Sequence, residues 1–207
     1  MIISASRRCD IPKYGKKWLL ENLKQGYVNV TNPFNRNQIK KVSLKNEDVD
    51  LFVFWTKDCS DFTDVLDYLK SKNIKFLIQY TINGYPPEIE PHTGNTEKII
   101  NNFNDINLRY PGSVLWRYDP VILADSFDLK YHTKKFSYIF QNIKHSTARC
   151  YTSFFDEYRK NKKFITAYNV NINDFSKYEE ILTEFDNIVD GSDVKLVVCS
   201  EPVNYIS

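Results

Sequence analysis

Short apolar segments alternate with helical patterns along almost the whole chain, and this alternation constrains the fold more than any other feature. Seven segments rich in β-branched and aromatic residues are predicted strands: 1–5, 27–31, 50–55, 76–81, 113–118, 148–154 and 195–199. They lack strict hydrophobic and polar alternation over their length, which is typical of strands buried on both faces. The pattern therefore predicts a parallel sheet flanked by helices.

Apolar residues at helical spacing lie between the predicted strands. Five helices are predicted around the apolar residues Trp18, Phe62, Ile99, Phe136 and Tyr178. Gly26 is the predicted end of the first helix, and Asp58 or Ser60 is the predicted N-cap of the second. The segment 160–173 shows no clear period, and we interpret it as a long loop with room for a short helix.

Two architectures fit seven parallel strands: an open doubly wound sheet and a (β/α) barrel. A dinucleotide-binding doubly wound sheet needs a glycine-rich turn after the first strand, whereas this chain has Ser6-Arg7-Arg8-Cys9-Asp10 there. The six glycines form no G-x-G-x-x-G motif. We therefore predict an α/β fold, a partial or complete TIM-type (β/α) barrel with parallel strands, as a single domain over residues 1–207.

Polar residues follow every predicted strand on its carboxyl side. In a parallel barrel these ends meet at one mouth, which is where such folds place their active sites. We predict that they open onto one cavity. The predicted ligand-binding residues are Ser6, Arg7, Arg8, Asn32, Trp55, Lys57, Gln79, Thr81, Arg117, Ser153 and Asp156. The predicted catalytic residues, with acid/base or orienting roles, are Asp10, Asp119 and Glu201.

The cations in this set predict an anionic ligand. Guanidinium groups bind phosphate and carboxylate through paired hydrogen bonds, so a small anionic or nucleotide-like molecule is the expected partner. The competing interpretation is that a pair such as Arg117 with Asp119 is only an ion pair that closes the end of the barrel.

Two other functions remain open at this point. One is a binding module that has kept the pocket without catalysis. The other is a hydrolase with a hard divalent cation among the carboxylates of Asp10, Asp119, Asp156 and Glu201, although no metal site is predicted. Whether the chain is an enzyme is left open.

Bulk properties limit the partners. The net charge of +2 is too small to predict a nucleic-acid partner; the basic segment 159–163 is interpreted as a solvated loop, with nucleic-acid binding as the alternative. No segment has the roughly 18 apolar residues of a membrane span, and no signal-peptide pattern is present. No membrane partner is predicted, and we expect a cytoplasmic protein. The four cysteines are isolated and predicted to be reduced; the three histidines are interpreted as structural or solvated.

Several motifs, in this order, closely resemble those of the bacterial DUF1848 family. They are Ser4-Ala5-Ser6-Arg7-Arg8-Cys9-Asp10-Ile11-Pro12, Asn32-Pro33-Phe34-Asn35, Val53-Phe54-Trp55-Thr56-Lys57, Gln79-Tyr80-Thr81-Ile82-Asn83-Gly84-Tyr85, Trp116-Arg117-Tyr118-Asp119-Pro120, Ser153-Phe154-Phe155-Asp156-Glu157-Tyr158-Arg159 and Cys199-Ser200-Glu201. These motifs span nearly the whole chain, so the resemblance is specific to the family, whose activity is not settled.

The resemblance implies a barrel similar to that of radical S-adenosylmethionine enzymes. Members of the family typically carry a C-terminal cysteine cluster beyond the equivalent of Glu201, which implies an iron–sulfur cluster and S-adenosylmethionine as cofactors. This sequence runs to Ser207 without such a cluster. It also has Cys9 where the family usually has Thr, and Asp58-Cys59 where Asn-Pro is usual. We therefore expect no [4Fe–4S] cluster on this chain, and the cofactor is left open.

Overall fold

The computed structural model describes residues 1–6 and 8–199. Its strands are β1 (Ile2–Ser4), β2 (Tyr27–Asn32), β3 (Asn35–Ser43), β4 (Leu51–Thr56), β5 (Phe76–Thr81), β6 (Val114–Val121), β7 (Arg149–Phe154) and β8 (Lys195–Val198). Its helices are α1 (Ile11–Tyr14), α2 (Lys16–Gln25), α3 (Thr63–Ser71), α4 (Thr96–Arg109), α5 (Leu129–Ile143), α6 (Lys162–Tyr168) and α7 (Phe175–Val189), with a 3₁₀ turn at Arg159–Asn161.

Six of these strands form a parallel sheet in the order β1-β4-β5-β6-β7-β8. The predicted α/β class is therefore confirmed. The order begins at β1 and ends at β8, and among the described residues no pairing joins these two strands, so a closed barrel is not found. The chain divides into two compact units, Met1–Tyr80 and the part that begins at Thr81.

The first unit is built around β4. Its residues alternate between the two faces of the sheet, so Phe52 and Phe54 are fully buried on one face. The ring of Phe54 meets the edge of Phe62, with ring centroids 5.2 Å apart, and α3 covers this face with Leu66 and Leu69. Burial of these apolar side chains holds α3 on the sheet.

The ends of two helices test the predicted caps. Gly26 follows α2 with φ of 83°, and its N–H bonds back to the carbonyls of Asn22 and Leu23, so the predicted helix end is confirmed. The predicted cap of α3 is wrong, because the residue before that helix is Phe62 and no side chain caps it. The Asp58 carboxylate instead accepts hydrogen bonds from the N–H and hydroxyl of Ser60 in the preceding turn.

The predicted strand at 27–31 exists but does not join the parallel sheet, which corrects the sequence analysis. It is part of β2, which pairs antiparallel with β3 from Tyr27 opposite Ser43 to Asn32 opposite Asn35. We call this two-stranded sheet the β2–β3 ribbon. The prediction omits β3 because its first seven residues, 35–41, are all exposed and mostly polar, so no apolar run marks the strand.

The second unit carries the larger aromatic core. Trp116 and Tyr118 lie on one face of β6 and are fully buried. Phe136 of α5 and Phe185 of α7 stack against each other with centroids 3.9 Å apart, and the edge of Tyr118 contacts both. Helix α5 also packs against α4. Three helices therefore lie side by side in this unit. Among the described residues, no helix is both long and apolar enough to span a membrane.

Candidate functional site

A hydrogen-bonded array of polar side chains lies at the carboxyl ends of β6 and β7 in the second unit. The Asp119 carboxylate accepts from Nε and Nη2 of Arg117 on one oxygen, at 3.2 and 2.7 Å. Its other oxygen accepts a short hydrogen bond from the hydroxyl of Ser153. Both carboxylate oxygens are thus engaged by side chains, which fixes the plane of the carboxylate. We call Arg117, Asp119 and Ser153, with Asn83 described below, the β6–β7 site.

Strand periodicity explains why these side chains meet. Side chains two residues apart on a strand point to the same face, so Arg117 and Asp119 share the face opposite Trp116. Arg117 lies beside Tyr151 in the parallel register of β6 and β7, and its guanidinium carbon is 6.0 Å from the centre of that ring. Ser153, two residues beyond Tyr151, therefore reaches Asp119.

Asn83 holds the backbone of Asp119 in place. Its side-chain oxygen accepts from the Asp119 N–H at 2.8 Å, and its amide nitrogen donates to the Asp119 carbonyl at 3.0 Å. The same nitrogen donates to the Glu90 carboxylate at 3.2 Å. One buried side chain thus satisfies a donor and an acceptor that β6 presents at its end.

The segment after Asp119 is fixed by a buried tyrosine. The Tyr85 hydroxyl donates to the Pro120 carbonyl at 3.0 Å and accepts from the Ile122 N–H at 2.8 Å. Burial raises the pKa of Tyr85 well above its usual value, so the hydroxyl stays protonated and keeps its donor role.

His132 of α5 supports the same strand from the side of the helices. Its Nε2 lies 2.8 Å from the Ile122 carbonyl, which can only accept, so Nε2 carries the proton. Nδ1 then accepts from the hydroxyl of Tyr118 at 3.0 Å. Burial lowers the pKa of His132 to about 4, so the ring is neutral at pH 7. This confirms the structural interpretation of His132.

Asp10, the predicted catalytic carboxylate of the first unit, is held differently. It is the N-cap of α1 and accepts from the Lys13 backbone N–H at 3.1 Å. Its other oxygen accepts from the Lys57 backbone N–H at 2.9 Å. Both oxygens therefore bind backbone groups, and the carboxylate joins the turn after β1 to the end of β4.

The other predicted residues of the first unit occupy separate environments. Trp55 donates from its indole nitrogen to the side-chain oxygen of Gln79 at 3.1 Å, one strand away. Arg8 donates to the Thr31 carbonyl at 2.9 Å. The strand β1 ends before Ser6, whose buried hydroxyl has no hydrogen-bond partner among the described residues.

A further group of predicted residues lies outside the β6–β7 site. Asn32 bonds to Gln38 within the β2–β3 ribbon at 2.7 Å. Thr81 is buried at the end of β5, and Asp156 accepts from the Tyr158 hydroxyl at 3.2 Å in an exposed loop. Arg7 and Glu201 lie outside the described residues. The expectation that all these side chains share one cavity stays a prediction.

The prediction omits three residues that the structure places at or next to the site: Asn83, Tyr85 and Glu90. Asn83 follows Gln79 and Thr81 at strand spacing beyond the end of β5, so the strand pattern predicts its position at this edge but not its role. Tyr85 ends one of the motifs that resemble the DUF1848 family, but the sequence does not predict its contacts with Pro120 and Ile122. No motif includes Glu90.

The cysteines do not fit the iron–sulfur cluster that the family resemblance implies. All four lie in the described part of the chain; Cys59 and Cys150 are fully buried, Cys9 is exposed and Cys199 is partly buried. Burial raises the pKa of Cys59 and Cys150, which keeps them as thiols rather than thiolates. Among the described residues, no three His, Cys, Asp or Glu side chains lie together as metal ligands. The hydrolase interpretation thus gains no support from this part of the chain.

Comparison with known proteins gives one match. No curated protein matches the chain, and no solved structure matches it. The family model described as "Domain of unknown function (DUF1848)" matches residues 2–207, which is almost the whole sequence. The motifs that follow the strands, Arg117 and Asp119 among them, lie within the matched range. The chain therefore belongs to the DUF1848 family.

Proposed function

We propose that the chain binds a small anionic ligand, bearing a phosphate or carboxylate group, at the β6–β7 site. Arg117 holds the anion, Ser153 lies beside it, and Asp119 orients the ligand or exchanges a proton with it. The observation that carries the proposal is the array of Arg117, Asp119 and Ser153 at the carboxyl ends of adjacent parallel strands. Ligands of parallel α/β sheets bind at this edge.

Partial burial supports this role. The side chains of Arg117 and Asp119 are 16% and 21% exposed. They are thus accessible to a ligand, yet they lie in an environment where charged hydrogen bonds are stronger than in water. Asp119 restricts the orientation of the guanidinium, and this preorganisation lowers the entropic cost of binding a planar or tetrahedral anion.

The arrangement of helices supports a barrel-derived architecture for this site. In the second unit, α4, α5 and α7 lie side by side and cover the face of β6 that carries Trp116 and Tyr118. Arg117 and Asp119 lie on the other face of the same strand. A polar inner face opposite a single layer of helices is the pattern of a (β/α) barrel, so we propose an enzyme, or a protein derived from one, with an incomplete barrel.

Replacement of one arginine tests the proposal. Arg117→Lys keeps the positive charge but loses the planar fork, so the affinity for inorganic phosphate should fall about tenfold, since a hydrogen bond to a charged group contributes about 1.5–3 kcal/mol. The matched control is Arg149→Lys, because Arg149 begins β7 and is exposed. Isothermal titration calorimetry with phosphate measures both variants. Equal affinity of wild type and Arg117→Lys, or an equal loss in the control, would contradict the assigned site.

A further inference from the structure

The β2–β3 ribbon has an unusual charge for a surface element of a nearly neutral protein. Residues 27–43 contain three cations, Arg36, Lys40 and Lys41, and no Asp or Glu. All three are exposed, and in the described part of the chain none of them forms an ion pair with a carboxylate. The ribbon therefore presents uncompensated positive charge to a partner.

The β2–β3 ribbon also projects few apolar side chains into any core. The burial of β2 is at most partial, and only the last two residues of β3 are even partly buried. Its base is joined to the end of α2 by the hydrogen bond from the Leu44 N–H to the Gly26 carbonyl, 2.9 Å long. The ribbon is thus a two-stranded arm that is joined to the rest of its unit at its base and contributes little to the apolar core.

The two faces of the ribbon display groups that bind nucleic acid. On one face Lys41 lies opposite Asn29, and its ammonium lies 3.8 Å from the centre of the Tyr27 ring, a cation–π contact that restricts the motion of the lysine side chain. On the other face Lys40 stands opposite Val30. Five side-chain amides accompany these cations: Asn29, Asn32, Asn35, Asn37 and Gln38.

The end of the ribbon departs from regular pairing. Thr31 pairs with Ile39, and the next residue of β2, Asn32, pairs with Asn35. Residues 36–38 of β3 therefore have no residue opposite them on β2. Their side chains are one cation, Arg36, and two amides, Asn37 and Gln38. The tip residue Phe34 is 97% exposed, so an aromatic ring lies beside this polar segment without burial in the protein.

We propose that the β2–β3 ribbon binds duplex DNA by lying in the major groove. The groove is about 12 Å wide and admits a two-stranded ribbon. Lys40, Lys41 and Arg36 contact backbone phosphates, which fixes the position of the arm. The amides at the end of the ribbon contact base edges, where Asn and Gln pair with adenine.

The charge and the amides favour DNA over the other occupants of an exposed ribbon. A second copy of the chain would bring the same three cations against one another, which is repulsive. An acidic protein would satisfy the cations but would give no role to the amides of Asn29 and Asn37 or to the exposed ring of Phe34. The other basic segment, 159–163, is a weaker candidate, because Glu157 lies 3.5 Å from the Lys162 ammonium and offsets its charge.

The experiment uses the full chain and a fluorescent duplex of mixed sequence, about 20 base pairs long, which is about two turns of B-DNA. The test variant is Arg36→Ala/Lys40→Ala/Lys41→Ala. The matched control, Arg159→Ala/Lys160→Ala/Lys163→Ala, removes the same charge from the other basic segment. Fluorescence anisotropy at several salt concentrations gives Kd and its salt dependence, and circular dichroism confirms that both variants are folded.

We expect wild type and control to bind the duplex alike, with affinity that falls as salt rises. In the ribbon variant Kd should rise at least about tenfold near 0.1 M salt. The slope of log K against log[salt] should also become shallower by about 2.7, since each lost phosphate contact removes about 0.9. Absence of duplex binding by wild type, or an equal loss in both variants, overturns the proposal. Equal or tighter binding of single-stranded DNA or duplex RNA of the same sequence also overturns it.

These outcomes are separate from the test of the anion site. Phosphate binding at the β6–β7 site depends on Arg117, which both triple variants retain. Arg117→Lys should leave the affinity for the duplex within about twofold of wild type, because Arg117 lies on β6 and is not one of the ribbon residues that contact the duplex. A joint loss of phosphate and duplex binding in Arg117→Lys would show that the DNA contact lies at the β6–β7 site, which excludes the ribbon.

Discussion

Asp10 and Asp119 both follow parallel strands, and the sequence predicts the same role for them, yet the structure holds them by different groups. The two oxygens of Asp10 accept from the backbone N–H groups of Lys13 and Lys57. The oxygens of Asp119 accept from the side chains of Arg117 and Ser153. A backbone N–H can only donate, whereas a hydroxyl can donate or accept, so the second carboxylate has adaptable surroundings.

This difference distinguishes a carboxylate that joins segments of the chain from one that can respond to a ligand. Asp10 accepts a hydrogen bond from a backbone N–H in the first turn of α1 and another from the end of β4, so its loss disturbs the fold locally. Asp119 sits on a strand that Asn83, Tyr85 and His132 support through other atoms, so its side chain is not needed to hold the backbone. Binding should therefore depend on Asp119 and stability on Asp10.

The largest expected effect is a loss of stability at acid pH, which tests whether His132 supports the strand that carries Asp119. His132 has a pKa of about 4 in the folded protein and about 6.5 when unfolded. Between these values the unfolded chain binds a proton that the folded chain does not, so stability falls as pH falls. The loss should reach about 3 kcal/mol by pH 4 and stay constant below it for this group.

Urea unfolding between pH 7 and pH 4 measures this loss, with His132→Gln as the comparison variant. The variant lacks the titrating ring, so its stability should fall less steeply over the same interval, whatever its stability at pH 7. Nitrogen NMR of the ring should also show a proton on Nε2 alone at pH 5. If wild type and variant have the same slope, His132 is not the acid-sensitive support of β6.

A second effect of about 2 kcal/mol separates the two aspartates directly. In Asp10→Asn, the amide NH₂ must face one of two backbone N–H groups, so a charged hydrogen bond is lost and the free energy of unfolding should fall by about 2 kcal/mol. In Asp119→Asn, the NH₂ can face Ser153, whose hydroxyl then accepts, so the fall should stay below about 1 kcal/mol.

Phosphate titration of the same two variants completes the contrast. In Asp119→Asn the amide oxygen can still accept from the Arg117 guanidinium and keep its orientation, while the negative charge beside it is lost. The phosphate affinity of this variant should therefore rise about fivefold, which corresponds to about 1 kcal/mol of relieved repulsion. Asp10→Asn should bind phosphate as wild type does. Equal destabilisation in the two variants, with no change in phosphate affinity, would remove the distinction between these carboxylates.

The smallest effect compares two serine hydroxyls. Ser153→Ala removes a hydrogen bond to Asp119 and should lower the free energy of unfolding by about 1 kcal/mol. Ser6→Ala removes a buried hydroxyl that has no partner among the described residues, so stability should stay the same or rise by about 0.5 kcal/mol. Chemical denaturation measures both. A larger loss for Ser6→Ala would show that this hydroxyl has a partner in solution.

Six of the seven predicted strands lie in the parallel sheet. They could be predicted because a sheet that is covered by helices needs apolar side chains, and each of these six segments is an apolar run. The prediction for the segment that begins at Tyr27 is wrong about its sheet, because its length and β-branched residues are those of any strand. Its alternation of Val28, Asn29 and Val30, followed by an Asn-Pro turn, is the signal of a hairpin. The partner strand β3 carries no core-forming pattern, so composition cannot reveal it.

The candidate site was predictable only as a set of strand ends. Alternation places Arg117 and Asp119 on one face, and their contact is observed. No sequence pattern distinguishes a carboxylate bound by backbone N–H groups from one bound by side chains, because the second partner of each, Lys57 for Asp10 and Ser153 for Asp119, comes from another strand end. The role of Asn83 as a clamp on the Asp119 backbone likewise depends on a contact between residues 36 positions apart.

The cations of the β2–β3 ribbon have a consequence for self-association. Among the described residues this sheet has two strands only, so its outer edges offer backbone groups with which another chain could form a β-sheet. Arg8 occupies one of these groups, the Thr31 carbonyl. Lys40 and Lys41 add like charges that repel a second ribbon, which is how natural edge strands resist aggregation. The same side chains thus oppose β-sheet pairing between the ribbons of two copies of the chain.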